Sequence, residues 1–134
     1  MIYIDPPYNT GNDFVYNDDF ARTAAEEDLE AGNVDELGLR YRKNTDSNGK
    51  FHSDWCSMIY SRLLVARSLL TEDGVIFISI DDNELENLKK LCNEVFGENN
   101  FVANIIWQRT YAPISLKKYF SENHDFCLVY AKNL

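Results

Sequence analysis

The sequence lacks the features that mark membrane, secreted and zinc-binding proteins. No apolar run in its 134 residues approaches the roughly 20 residues that a transmembrane helix needs. The N-terminus, MIYIDPP, has neither the basic stretch nor the long apolar core of a signal peptide. Three cysteines (Cys56, Cys92 and Cys127) form no Cys-x-x-Cys pair and leave an odd number, which argues against a zinc site or a disulfide framework. We therefore expect a cytoplasmic protein with no membrane segment and no metal.

Positive charge is also scarce, with 13 Lys and Arg residues against 22 Asp and Glu residues and a formal net charge of −9. Because Lys and Arg provide most contacts to phosphate backbones, this balance counts against tight nucleic-acid binding by the chain unaided. The acids are concentrated between residues 12 and 38, whereas residues 39–50 contain four basic residues and one acid. The acidity therefore does not extend over the whole surface.

The apolar patterning predicts a single α/β domain over residues 1–134, with a mainly parallel sheet that ends in an antiparallel pair. A polar segment at about 9–52 is interpreted as a long loop that contains a short helix at 23–31. The predicted elements are strands at 2–4, 75–80, 101–108 and 126–132, and helices at 53–70, capped by Ser53, and 83–96, stopped by Gly97. Sheets of this class place their sites beyond the carboxyl ends of their strands, here Asp5 to Tyr8 and Ser79 to Asp82.

The segment Asp5-Pro6-Pro7-Tyr8 carries the most specific chemistry. Two consecutive prolines hold the backbone extended and have no N–H, so their carbonyls are expected to remain free as acceptors. Together with the Asp5 carboxylate, a carbonyl provides a second acceptor for one planar amino group. The Tyr8 ring offers a flat surface on which an aromatic base can stack. Two acceptors that pull on its hydrogens would make the nitrogen of a conjugated amine more nucleophilic, without a metal.

Several further residues are candidates with an ordinary structural alternative. Asn9, Thr10 and Gly11 either shape a loop over a substrate or form a simple turn, and Asp81 either contacts a cofactor or caps the following helix. Trp107 either packs in the core or holds a base, and His124 either is structural or contacts the substrate.

The segment DPPYNTG at residues 5–11 resembles the catalytic motif of DNA amino-methyltransferases. The extended match is to the β group of adenine-N6 methyltransferases, in particular the modification subunits of type III restriction-modification systems. The further segments that resemble this family are His52–Trp55, Gly74–Asp82, Asn100–Trp107 and His124–Lys132.

This resemblance implies a Rossmann-like fold that binds S-adenosylmethionine and methylates an adenine flipped out of double-stranded DNA. Asp5 and the Pro6 carbonyl would hold the amino group, Tyr8 would stack on the base, and Asp5 or Asp81 would contact the cofactor. A restriction subunit is the implied protein partner. A second copy of the chain is expected on a different ground, because a missing half would leave sheet edges and apolar surface exposed. Cytosine-N4 methylation and methylation of a protein glutamine are alternatives, in which Ser or Asn usually replaces the Asp at the position of Asp5.

One departure from the family pattern concerns the cofactor segment. The family carries a Gly-rich segment of the Phe-x-Gly-x-Gly kind, whereas the six glycines here form no Gly-x-Gly. We therefore expect a partial methyltransferase domain, a catalytic half that is inactive in isolation. The alternative from another class is an inactive fragment or an interaction module.

Overall fold

The computed structural model describes residues 1–16, 41–111, 119–120 and 122–134. The predicted helix at 23–31 lies outside these residues. The elements, in chain order, are β1 (Ile2–Ile4), β2 (Phe14–Tyr16), β3 (Tyr41–Lys43), α1 (Phe51–Leu69), β4 (Val75–Ile80), α2 (Leu85–Phe96), a 3-10 turn (Glu98–Asn100), β5 (Phe101–Gln108) and β6 (His124–Ala131).

Four strands form one sheet in the order β1-β4-β6-β5. Only β1 and β4 pair in parallel, whereas β6 is antiparallel to both β4 and β5. The predicted antiparallel pair is confirmed, but the prediction of a mainly parallel sheet is wrong. The reason is that β6 lies between β4 and β5 and runs in the opposite direction to both, so two of the three strand pairs in this sheet are antiparallel.

The two helices and one face of the sheet enclose the core. Ile76, Ile78 and Ile80 alternate along β4 and are fully buried, as is Leu128 of β6, because every second side chain of a strand points to the same face. Helix α1 buries one stripe, as its spacing predicts, and the residues of that stripe are Trp55, Met58, Ile59, Leu63 and Ala66. The intervening strand residues, such as Phe77 and Ser79, are only partly buried on the opposite face of the sheet.

The ends of the helices follow local chemistry. Helix α1 begins at Phe51, two residues before the predicted Ser53 cap, and the Ser53 hydroxyl donates to the Lys50 carbonyl at 3.1 Å. Helix α2 ends at Phe96, and the next residue, Gly97, has a φ of 93° that suits a residue without a Cβ. The predicted stop is therefore confirmed.

The segment at 9–52 is not a loop throughout. Within its described part, β2 and β3 form a separate antiparallel pair, and the last two residues already belong to α1. In the described part of the chain, no helix is long and apolar enough to cross a membrane.

Candidate active site

A pocket of about 410 Å³ opens on the sheet face opposite the helices, where β1 and β4 end. Its volume lies within the range of typical small-molecule sites. The lining combines carboxylates, hydroxyls and aromatic rings from all four strands and the turn after β1: Tyr3, Asp5, Tyr8, Ser79, Ile105, Trp107, Asp125, Phe126 and Cys127. The structure therefore places Asp5, Tyr8 and Trp107 in the lining of one pocket.

Asp5 and Tyr8 lie side by side in this pocket. Burial raises the pKa of Tyr8 well above its ordinary value, and the charge of the Asp5 carboxylate and a hydrogen bond to it raise that pKa further. The Tyr8 ring therefore remains uncharged at every physiological pH. The uncharged, partly buried Tyr8 ring provides a stacking surface, and the Asp5 carboxylate beside it provides a hydrogen-bond acceptor.

The two proline carbonyls have different roles. The indole Nε1–H of the fully buried Trp55 donates to the Pro7 carbonyl at 2.7 Å. The expectation that both carbonyls remain free is therefore wrong for Pro7, because helix α1 uses it to hold the motif against the core. The Pro6 carbonyl is left as the candidate second acceptor beside Asp5.

The opposite wall of the pocket is built by the strand pair β5–β6. Trp107 pairs with Asp125 across the two strands, and the Trp107 side chain is 67% exposed. Trp107 therefore does not belong to the core. The Asp125 carboxylate forms an ion pair with the Arg109 guanidinium at 3.1 Å, which holds it in place.

The residues after Tyr8 turn away from the pocket. Asn9 has a φ of 59° and is 2% exposed, and its side-chain amide binds Glu84 and Asn44. The exposed Thr10 donates its hydroxyl to the Asp13 carboxylate at 2.8 Å. Gly11 has a φ of 88°, and a Cβ at this position would lie 2.4 Å from Asp46 Oδ1. None of these three residues lines the pocket.

Asp81 and His124 also lie outside the pocket lining. The Asp81 carboxylate accepts the backbone N–H of Asn83 at 2.9 Å and so closes a turn rather than capping α2. Burial raises the pKa of Asp81; the Asn83 N–H opposes this, and the charge of Asp125 adds to it. The His124 ring packs edge-on against Phe126 with ring centroids 5.1 Å apart.

The sequence did not identify several pocket residues or the hydrogen bond between Trp55 and Pro7. Ser79 lies at the end of a predicted strand, whereas Asp125 lies one residue before the predicted strand at 126–132. Its position opposite Trp107 depends on the strand register, which the sequence pattern does not give. The bond between Trp55 and Pro7 joins positions 48 residues apart and leaves no local signal.

The described residues include no group of three or more His, Cys, Asp or Glu side chains able to hold a metal ion. Burial raises the pKa of Cys92 to about 12, as expected for an inert core thiol.

Comparison with known proteins supports the resemblance stated above. A family model described as DNA methylase, covering the N6 and N4 methyltransferases, matches residues 1–134. Among curated relatives, the type III restriction-modification enzyme EcoPI Mod subunit of Escherichia phage P1 is 50% identical over 99% of this chain and 21% of its own length. The EcoP15I Mod subunit of Escherichia coli is 46% identical over 99% of the chain and 20% of its own length.

A second group of relatives carries a different description. The type II methyltransferase M.KpnI of Klebsiella pneumoniae is 37% identical over 98% of this chain and 26% of its own length. The chain thus spans about a fifth to a quarter of the length of these relatives. Because the family match extends from the first residue to the last, the chain belongs to the DNA methylase family.

Proposed function

We propose that this chain is the catalytic portion of a DNA adenine-N6 methyltransferase that uses S-adenosylmethionine. The observation that carries the proposal is the pocket in which Asp5, Tyr8 and Trp107 meet. A carboxylate beside two aromatic rings, in about 410 Å³, suits a planar base with an exocyclic amine. Such a base reaches a pocket only after it has left the duplex stack, so base flipping is part of the proposal.

In this proposal, each residue has a defined role. The Asp5 carboxylate and the Pro6 carbonyl accept the two amino hydrogens, which directs the nitrogen lone pair outward. The rings of Tyr8 and Trp107 hold the base plane, and this fixed orientation supplies most of the rate. Asn9, Thr10 and Gly11 support the motif from outside the pocket, and His124 packs behind the pocket-lining Phe126.

The charge of the pocket suits the proposed cofactor. When bound, S-adenosylmethionine supplies an electrophilic methyl group on a positively charged sulfur. Asp5 and Asp125 place two carboxylates in the pocket lining, and a positive group is favourable beside them. Asp81 directly follows β4 outside the pocket lining, and its pKa is raised first by burial and further by the charge of the pocket-lining Asp125, so a cation bound near Asp125 would also be favourable for Asp81. We propose Asp5 and Asp81 as contacts to the cofactor on this basis.

The proposed partners follow from the relatives. The Mod subunits belong to type III restriction-modification enzymes, so double-stranded DNA and a restriction subunit are partners we propose here. We propose a second copy of the chain because β1 and β5 are the outer strands of the described sheet and could pair with another strand. The cytoplasm is the proposed location, in keeping with three free cysteines in the described residues.

The proposal is tested by placing this chain in the matching segment of the EcoPI Mod subunit. The chimaera is incubated with DNA and methyl-labelled S-adenosylmethionine, and the DNA is digested to nucleosides. We expect label on N6-methyladenine. Asp5→Ala should reduce transfer by at least about 100-fold, since a lost charge-stabilising contact at a reacting group commonly costs that much.

The matched control is Asp73→Ala, which removes an exposed carboxylate at the opposite end of β4. We expect this variant to keep parental transfer. Label on N4-methylcytosine would instead assign the chain to the cytosine-specific branch of the family. Near-normal transfer by Asp5→Ala would refute the acceptor role of Asp5.

A further inference from the structure

A buried polar cluster lies directly behind the Asp5–Tyr8 motif, outside the pocket. Its centre is Glu84, which precedes α2 and is only 1% exposed. Glu84 Oε1 accepts the Asn9 side-chain amide at 2.7 Å and also contacts His52 Nδ1, and Glu84 Oε2 accepts the Asn87 amide at 2.8 Å. A buried carboxylate is costly unless donors surround it, and here three side chains do so.

Asn9 is held from both ends of its side-chain amide. Its Nδ2 group donates to Glu84, and its Oδ1 atom accepts the Asn44 amide at 2.8 Å. Asn44 is fully buried and also donates to the Phe51 carbonyl at 2.7 Å. Since both ends of the Asn9 amide are engaged, this side chain serves the protein interior and not a ligand.

The backbone of Asn9 is in the left-handed region, with a φ of 59°. Asn tolerates this conformation better than most residues, but it needs surrounding contacts to persist. The turn at Asn9 follows Tyr8 directly, so it sets the direction in which the motif leaves the sheet. The contacts to Glu84 and Asn44 are therefore placed to determine how Pro6 and Tyr8 face the pocket.

We propose that Glu84 is a positioning residue: through Asn9, its buried carboxylate fixes the conformation of the Asp5–Tyr8 motif. This inference rests on the proposed function for its catalytic meaning, because the motif is the proposed site of methyl transfer. Glu84 does not line the pocket, and of its three side-chain contacts the bond to Asn9 is the one that joins it to the motif.

The bond between Trp55 and Pro7 provides the readout. The Trp55 indole N–H is buried and bonded to the motif, whereas Trp107 is 67% exposed. NMR hydrogen exchange of this chain resolves the two indole N–H groups. Dividing the Trp55 rate by that of the backbone amide of Ile78, in the centre of β4, separates local opening of the motif from global unfolding.

The decisive variants first remove and then reverse the donor and acceptor in the contact between Asn9 and Glu84. Asn9→Asp faces Glu84 with a second carboxylate while retaining a residue that tolerates positive φ. We expect the Trp55-to-Ile78 ratio to rise at least about tenfold, as a local opening. Adding Glu84→Gln restores a donor opposite the new carboxylate and the original net charge, and the ratio should return to within about twofold of the parent. Neutral His52 can accept from the new amide.

Glu86→Gln is the control, because it neutralises an exposed carboxylate in the first turn of the same helix. The Trp55-to-Ile78 exchange ratio of this variant should equal that of the parent chain. Should Asn9→Asp fail to fold by circular dichroism, Asn9→Gly decides, since glycine accepts the backbone conformation without the amide. We expect its ratio to rise at least about threefold, as a local opening without global unfolding.

Two results would overturn the inference. One is a folded Asn9→Asp or Asn9→Gly variant whose ratio equals the parent's, even if its melting temperature falls, because that describes a merely stabilising contact. The other is a double variant that does not recover the parental ratio. The measurement contains neither DNA nor cofactor, so its outcome is independent of the methyl-transfer test.

Discussion

At the scale of single residues, Gly11 shows how closely the motif constrains its surroundings. Its φ of 88° disfavours any residue with a Cβ, and the Asp46 carboxylate occupies the position that such an atom would take. Asp46 is exposed and its side chain can move. The backbone conformation, rather than the contact, is therefore the feature that requires glycine.

We expect Gly11→Ala to lower the free energy of unfolding by about 1–2 kcal/mol, the cost of a left-handed residue with a side chain. This corresponds to a fall of roughly 5 °C in melting temperature. Gly49→Ala is the control, because no atom lies within 4 Å of the added Cβ. Thermal unfolding checks both. If Asp46→Ala restored the stability of Gly11→Ala, the contact and not the backbone would be responsible.

The residues of the site divide by the range of their interactions. Asp5, Tyr8 and Trp107 could be predicted because their chemistry is visible in short segments or at a strand end. The role of Pro7 could not, since its carbonyl is occupied by an indole from α1. For the same reason Asn9 was ambiguous from sequence, as its partner Glu84 is 75 residues away.

At the scale of elements, α1 follows its sequence pattern closely. Leu63 is fully buried in the core, whereas its neighbour Leu64 is 47% exposed. The pattern fails only at the ends, because Lys50 precedes the helix without a side-chain cap. Apolar periodicity reports which face is buried, and it contains little information on the first turn.

The two neighbouring leucines form a matched pair for a stability test. Leu63→Ala should lower the free energy of unfolding by about 2–5 kcal/mol, through lost burial and a residual cavity. Leu64→Ala should cost less than about 1 kcal/mol, because its side chain is already half in solvent. Urea denaturation measures both values. Equal losses would contradict the assignment of the buried face.

The direction of the strands was the least predictable property of the elements. Patterning located β4, β5 and β6 to within two residues and identified β5–β6 as antiparallel. It could not show that β6 also pairs with β4, because residue periodicity contains no information on strand order. Because β6 is antiparallel to both of its neighbours, the sheet is mostly antiparallel, and Asp125 of β6 lies in the pocket lining.

At the scale of the whole molecule, the net charge disfavours DNA binding, whereas the pocket would favour it under the proposed function. The formal net charge of −9, from 22 acidic and 13 basic residues, disfavours contact with phosphates. The pocket, by contrast, offers two aromatic rings and a carboxylate to a base that has left the stack. If the proposed function is correct, DNA recognition by this chain should therefore depend more on access to an unpaired adenine than on contacts to the phosphate backbone.

We expect weak binding to fully paired DNA, with a dissociation constant above about 10⁻⁵ M at physiological salt. A duplex with a mismatched adenine should bind more tightly, since less energy is needed to extrude that base. Trp107→Ala should reduce the preference about tenfold, in line with about 1–3 kcal/mol for base stacking. Fluorescence anisotropy with labelled duplexes measures each affinity, and Tyr111→Ala, which removes an exposed aromatic ring outside the pocket lining, is the control. Equal affinity for paired and mismatched duplexes would show that the pocket does not receive the base, since repulsion between the acidic chain and DNA acts on both duplexes alike.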